Sequence, residues 1–394
     1  MIVRAEHLHG ILDAVPSKSA LHRRWILNHI AGASDAPQGF CDDVRVTAEC
    51  LQKLGTKDVL DCGECGAALR FLLPVSLLYG GASFSGSDSL KARPIEPLLN
   101  VLKEHGAQVD GAQLPLSVRG ALRPGDYRLG GGISSQFFSG LLLTLPFLSG
   151  DSTLTWTTPI GSLGYLRMTE AMLKEHGVSV ERTEHGYRIP GNQRPKRLPL
   201  SVEGDWSCAA PMLLLGAIAG SVTVRRLSPT SLQPDRKVLD ILRQCGALVR
   251  VQGDEITVMK GRLMQFKCGG ADAPDLIPAA AALACACEGD SVLYKLERLR
   301  YKESDRFAAI LKLLGSVGAD FEPESDSTIV IHGSGSIAGG TADVPGDHRM
   351  VMAAAVLSAC SAAPIRIPHA DSVTKSYPHF WDDFQRIGGH IDAI

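Results

Sequence analysis

The chain has 394 residues, 45% hydrophobic and 21% charged, with 40 lysines and arginines against 42 aspartates and glutamates and a formal net charge of −2. That length exceeds what one ordinary core holds, so two domains are expected. Near-balance of charge gives no general attraction to nucleic acid or a membrane surface, and any anion site must be built locally.

Two patterns alternate along the chain. In one, an apolar stretch runs into a glycine and then a strand-like segment: LQKLGTKDV (51–59), LKEHGAQV (102–109), LKEHGVSV (173–180), LRQCGALV (242–249), LKLLGSVGADF (311–321) and FQRIGGHI (384–391). The glycine suits the left-handed position that ends a helix. Gly55, Gly106, Gly177, Gly246, Gly318 and Gly388 are separated by 51, 71, 69, 72 and 70 residues. In the other pattern a polar cluster opens an apolar helix: SKSALHRR (17–24), GECGAALRF (63–71), SSQFFSGLLL (134–143), GDWSCAAPMLLL (204–215), PDLIPAAAALA (274–284) and GDHRMVMAAAV (346–356). Most of these are apolar all round, which predicts burial on every side. Six buried and six amphipathic helices separated by strands predict six α/β units, divided three and three near 196–205.

The reactive side chains gather at the starts of the buried helices, where free backbone N–H groups and the helix dipole favour anions. Lys18, Ser19 and Arg23 form either an anion clamp or a solvated helix start. Cys62 and Cys65 make a C-x-x-C, but no second matched pair exists, so no metal is expected there. A glycine-rich turn at Gly66 leading to Arg70 is the better reading. Arg93 precedes a proline and points either inward or to water. Ser134, Ser135 and Gln136 suit phosphate and hydroxyl groups, with simple capping by Ser134 as the alternative. Ser162 and Tyr165 add a hydroxyl pair. Asp275 is either a cap or a general base.

In YKESDR (301–306), a helix beginning near Lys302 would put Lys302 and Arg306 on one face, which needs something anionic between them. His348 and Arg349 open another apolar helix, where an unpartnered polar group is expensive. Lys375 precedes the last amphipathic helix. The ten cysteines follow no disulfide spacing and read as thiols of a cytoplasmic protein. No secretory pattern opens the chain, and the apolar run 137–148 is too short to span a bilayer.

In their order, PSKSALHRR, GECGAALRF, ARPI, SSQ, SLGY, VEGD, PD, YKESDR, DHRM and TKSYP resemble the motifs of the 5-enolpyruvylshikimate-3-phosphate synthase family of enolpyruvyl transferases. The resemblance implies a two-domain inside-out α/β barrel, each domain of three βαβαββ units with buried helices. The domains would be 18–201 and 1–17 plus 202–394, hinged near 15–18 and 198–205, closing on substrates bound between them. It implies transfer of the enolpyruvyl group of phosphoenolpyruvate to the 5-hydroxyl of shikimate 3-phosphate, through a tetrahedral ketal and with release of phosphate. Shikimate 3-phosphate would be held by Lys18, Ser19, Arg23, Ser134, Ser135, Gln136, Ser162, Tyr165, Asp275 and Lys302. Phosphoenolpyruvate would be held by Lys18, Gly66, Arg93, Gln136, Arg306, Arg349 and Lys375.

Asp275 is then the base and Glu303 the acid, with Lys18 as a rival, and Asp305 orients a cation. No cofactor, metal, nucleic acid or membrane is implied, and a monomer is expected. Two departures stand out. Glu64, Cys65, Gly66 and Ala67 replace asparagine-x-glycine-threonine, which predicts a raised Michaelis constant for phosphoenolpyruvate. Arg298 stands where some relatives carry asparagine. The rival readings are the sister transferase acting on UDP-N-acetylglucosamine and a silent anion-binding homologue. SSQ and KESDR favour shikimate phosphate over the first, and the retained buried charges argue against the second. RNA 3'-phosphate cyclases share a related unit, but the near-neutral charge does not suit RNA.

Overall fold

The computed structural model describes residues 1–33 and 41–392. The chain divides into two units, Met1–Ser17 with Glu203–Ile394, and Lys18–Val202. Each has its own continuous hydrophobic core.

The unit Lys18–Val202 carries helices α1 (Lys18–Ile30), α2 (Asp42–Lys53), α3 (Gly66–Ser76), the one-turn α4 (Asp88–Lys91), α5 (Glu96–Glu104), α6 (Ser135–Leu142) and α7 (Leu163–Glu175). The other unit carries α8 (Trp206–Ala219), α9 (Val238–Gln244), α10 (Ile277–Ala286), α11 (Arg306–Ser316), α12 (His348–Leu357) and α13 (Phe380–Arg386). The apolar helices α3, α6, α8, α10 and α12 are the interior ones, as a sequence without a polar face requires. Their backbones approach closely. A Cβ on Gly140 of α6 would lie 2.4 Å from the carbonyl oxygen of Arg70 in α3, so only glycine permits that crossing.

Among the described residues the strands form five four-stranded sheets, and in each one pair is parallel and the other two antiparallel. In four sheets the parallel pair is joined directly through a buried helix: Val59–Asp61 to Gly81–Ser85 through α3, Asp126–Leu129 to Ser152–Trp156 through α6, Lys267–Gly269 to Glu288–Tyr294 through α10, and Gly340–Thr341 to Ile365–Arg366 through α12. In the fifth, Leu8–Asp13 pairs with Gly220–Arg225, which follows α8. Helices α5, α7, α9 and α11 each lead into an antiparallel hairpin. Ile2–Arg4 completes the last such sheet, lying between Ile365–Arg366 and His390–Asp392. Gly55, Gly106, Gly177, Gly246, Gly318 and Gly388 all take left-handed backbone, with φ of 85°, 104°, 77°, 88°, 73° and 102°. Only glycine enters that region without steric cost.

The architecture has one departure from six equal units. After Gly55 the chain passes directly into Val59–Asp61, the strand that feeds α3, where the later units first make a hairpin. This accounts for the single short interval between marker glycines. A different device holds α1. Asn28 Nδ2 donates to the Leu198 carbonyl at 2.7 Å, and the Leu198 N–H donates to Asn28 Oδ1 at 2.9 Å. Arg24 Nη1 donates to the Pro199 carbonyl at 3.0 Å, and Arg24 also pairs with Glu175 of α7. Side chains of α1 thus satisfy the backbone of an extended segment as a strand neighbour would.

The ten cysteines are free and buried, and no described helix is long and apolar enough to cross a membrane.

Candidate functional site

In the unit Lys18–Val202 the candidate residues stand at the starts of α1, α3, α6 and α7. Lys18 opens α1 and donates from Nζ to Asp43 Oδ2 of α2 at 2.7 Å. One turn on, His22 accepts from or donates to Thr47 Oγ1 through Nδ1 at 2.8 Å. Burial drives its pKa down to about 3, against Asp43 and with help from Lys18 and Arg23, so the imidazole is neutral beside two cations.

Arg23 is 2% exposed and joins three of these helix starts. Its Nε donates to Thr169 Oγ1 at 2.7 Å, Nη1 to the Ser19 carbonyl at 2.7 Å, and Nη2 to Ser139 Oγ at 3.2 Å and the Tyr165 carbonyl at 3.1 Å. The guanidinium carbon lies 5.1 Å from the centre of the Phe71 ring. Burial lowers its pKa to about 10, which leaves it charged at neutral pH. Ser19, Arg23 and Tyr165 are therefore brought together with the first turns of α6.

Ser134 caps α6, its Oγ accepting from the Gln136 N–H at 3.2 Å, as the alternative reading allowed. Ser135 is buried, and Gln136 Oε1 is a buried acceptor with no hydrogen-bond partner among the described residues. Ser162 is buried in left-handed backbone at φ 58°, a strained placement for a side chain other than glycine.

Gly66 opens α3 between two guanidinium groups. A Cβ there would lie 2.5 Å from Arg70 Nη1 and 2.7 Å from Arg93 Nη1. Arg70 is fixed by the carbonyls of Gly66 at 3.3 Å and Pro94 at 3.1 Å. Cys65 serves as the cap of α3, its Sγ accepting from the Ala68 N–H at 3.4 Å, and Glu64 is exposed, 3.5 Å from Ser89 Oγ.

In the other unit the candidates converge on one guanidinium. Arg306 is 1% exposed and meets three carboxylates. Nη1 donates to Asp275 Oδ1 at 2.8 Å, Nη2 to Glu303 Oε2 at 2.7 Å, and Nε and Nη2 to Asp347 Oδ2 and Oδ1 at 2.8 and 3.2 Å. Lys302 Nζ meets the same Asp275 Oδ1 at 2.9 Å. Burial pushes the Asp275 carboxyl up, but Lys302, Arg306 and Arg349 outweigh it and hold it well below the usual carboxylate range. Desolvation lowers the Lys302 pKa despite Asp275. Arg349 donates from Nη1 to the Ser207 carbonyl of α8 at 2.8 Å. Lys375 is buried at the end of the 3-10 turn Ala370–Lys375, which packs on α12.

Two sequence expectations are corrected. Helix α11 begins at Arg306, and Lys302 has extended backbone after the 3-10 turn Glu297–Tyr301, so Lys302, Glu303 and Arg306 do not share a helical surface. The anion between the two cations is the protein's own Asp275. Among the described residues Asp305 pairs with no cation: its carboxylate caps α11, accepting from the Ala308 N–H at 3.1 Å. Sequence reasoning also missed Asp43 and Asp347, which bind the expected cations. Both stand at helix starts, and the aspartate just before the apolar run of α12 was a readable cap signal.

A family model described as EPSP synthase (3-phosphoshikimate 1-carboxyvinyltransferase) matches residues 3–384. A curated 3-phosphoshikimate 1-carboxyvinyltransferase of Clostridium novyi is 33% identical, with 98% of this chain and 96% of the relative covered. One of Methanocorpusculum labreanum is 34% identical, with 99% of each covered. Among solved structures, EPSP synthase from Acinetobacter baumannii superposes with a TM-score of 0.79 at 23% identity over 100% of this chain and 99% of that one. The enolpyruvyl transferase NikO from Streptomyces tendae gives 0.76 at 15% over 99% and 98%. At those identities the two structures speak to fold alone. On the full-length family match and the curated relatives, the chain belongs to the EPSP synthase (3-phosphoshikimate 1-carboxyvinyltransferase) family.

Proposed function

We propose that this protein transfers the enolpyruvyl group of phosphoenolpyruvate to the 5-hydroxyl of shikimate 3-phosphate and releases inorganic phosphate. The observation that carries the reading is Asp275, a carboxylate kept ionised by Lys302 and Arg306 at 2.9 and 2.8 Å. A base surrounded by cations suits a reaction between two anionic molecules, because the same charges that bind the anions keep the base ready.

In this reading shikimate 3-phosphate is bound by Lys18, Ser19, Arg23, Ser134, Ser135, Gln136, Ser162, Tyr165, Asp275 and Lys302. Phosphoenolpyruvate is bound by Lys18, Gly66, Arg93 and Gln136 and by Arg306, Arg349 and Lys375. The unpartnered Gln136 Oε1 gains a hydroxyl donor from the ligand. Glu303 delivers a proton to the methylene carbon of phosphoenolpyruvate, and the neighbouring carbon accepts the 5-oxygen as Asp275 takes the hydroxyl proton. A tetrahedral ketal results. It then loses a proton from the new methyl group and expels phosphate, restoring the double bond. Lys18, ion-paired to Asp43, is assigned to anion binding.

All these groups come from one chain, and we take the monomer as the working unit. Ten buried free thiols support a cytoplasmic setting. The test is phosphate release from phosphoenolpyruvate with and without shikimate 3-phosphate. Release that depends on shikimate 3-phosphate is expected. Release indifferent to it, or requiring a UDP-sugar, overturns the assignment.

A further inference from the structure

The three carboxylates around Arg306 are not equivalent. Asp275 and Glu303 have side chains 23% and 20% exposed, whereas Asp347 is 1% exposed. Asp275 and Glu303 each contribute one oxygen to the guanidinium. Asp347 instead takes its Nε edge with both oxygens, at 2.8 and 3.2 Å. Asp347 is itself fixed from two further sides. Ser304 Oγ donates to Oδ2 at 3.0 Å, and the Arg349 N–H donates to Oδ1 at 2.9 Å, which makes Asp347 the cap of α12. One side chain therefore sets both the plane of Arg306 and the first turn of the helix that carries Arg349. An Arg–carboxylate fork constrains orientation as well as distance.

We propose that Asp347 is a positioning residue: it is the permanent counter-charge of Arg306, leaving the opposite edge of the guanidinium to be exchanged between Asp275 or Glu303 and the incoming carboxylate or phosphate of phosphoenolpyruvate. The argument is one of access. An anionic ligand can displace the two partly exposed acids, each of which gives the guanidinium one oxygen, but not a fully enclosed one held on both oxygens. Displacing them also frees Asp275 and Glu303 for proton transfer at the moment the ligand arrives. Asp347 touches no substrate and acts through Arg306 and Arg349.

This inference rests on the transferase reading, and the experiment separates the two. Steady-state kinetics are measured for wild type, Asp347→Ser, Asp347→Asn and Asp347→Glu. Serine and asparagine still cap a helix, so α12 retains its start while the charged fork is lost. Glutamate keeps the charge and moves it. The Michaelis constant for phosphoenolpyruvate is expected to rise about 100-fold in the serine and asparagine variants, the scale of losing one partner of a buried charged pair. That for shikimate 3-phosphate should change less than about threefold, and glutamate should give an intermediate rise. Folding is checked by circular dichroism, and the glutamate variant carries the test if the neutral ones do not fold. Unchanged affinity for phosphoenolpyruvate in a folded variant, or equal rises for both substrates, overturns the positioning role. An inactive wild type overturns the transferase reading, and this inference with it.

Discussion

Gly66 owes its identity to two arginines. With Arg70 and Arg93 nitrogens 2.5 and 2.7 Å from where a Cβ would sit, Gly66→Ala must push a guanidinium aside. We expect the Michaelis constant for phosphoenolpyruvate to rise about 10-fold or more, since overpacking of this kind costs roughly 1–3 kcal/mol. Initial-rate kinetics at saturating shikimate 3-phosphate check it, and an unchanged constant would remove Arg93 from that role. At this scale the sequence showed which residue types open the buried helices, because charge at the head of an apolar run is conspicuous. It did not show their partners. Asp43 meets Lys18 and Asp347 meets Arg306 only through tertiary packing, across 25 and 41 residues of chain.

At the scale of elements, the buried helices were legible from their lack of a polar face and the amphipathic ones from their terminal glycines, all six of which have positive φ. The start of α11 was misplaced because YKE continues a helix-compatible pattern. Asp305 overrides it by capping. That correction is testable. Asp305→Ala should lower stability by about 1 kcal/mol, the usual worth of such a cap, and the melting temperature by about 2–4 °C. Catalytic constants should stay within about twofold, since the side chain is exposed and, among the described residues, bound only to the Ala308 N–H. A large fall in turnover with an unchanged melting temperature would return Asp305 to the catalytic machinery.

At the scale of the whole molecule, the fold holds one buried acid at a disadvantage. Asp235 is 1% exposed, and burial, reinforced by Asp275 and Asp205 against Arg349, pushes its pKa up to about 6. A folded-state pKa above the unfolded value means that its contribution to stability is fully present below about pH 4 and is lost as pH rises through about 6. Asp235→Asn should therefore melt at nearly the wild-type temperature at pH 4 and about 3 °C or more above it at pH 7.5. Equal differences at both pH values would show that Asp235 ionises freely in the fold. The regular spacing of glycines revealed the repeats. What replaced the missing first hairpin was illegible, because Asn28 and Leu198 meet across 170 residues. That long-range anchorage governs the order of assembly. Ribosomes deliver the chain from its amino end, so α1 emerges without the segment that secures it and must wait until residue 199 has been made. The opening strand Ile2–Arg4 waits longer still, for partners at 365–366 and 390–392. The unit Lys18–Val202 can thus mature during translation before the other unit, which needs residues 390–392 to complete its last sheet.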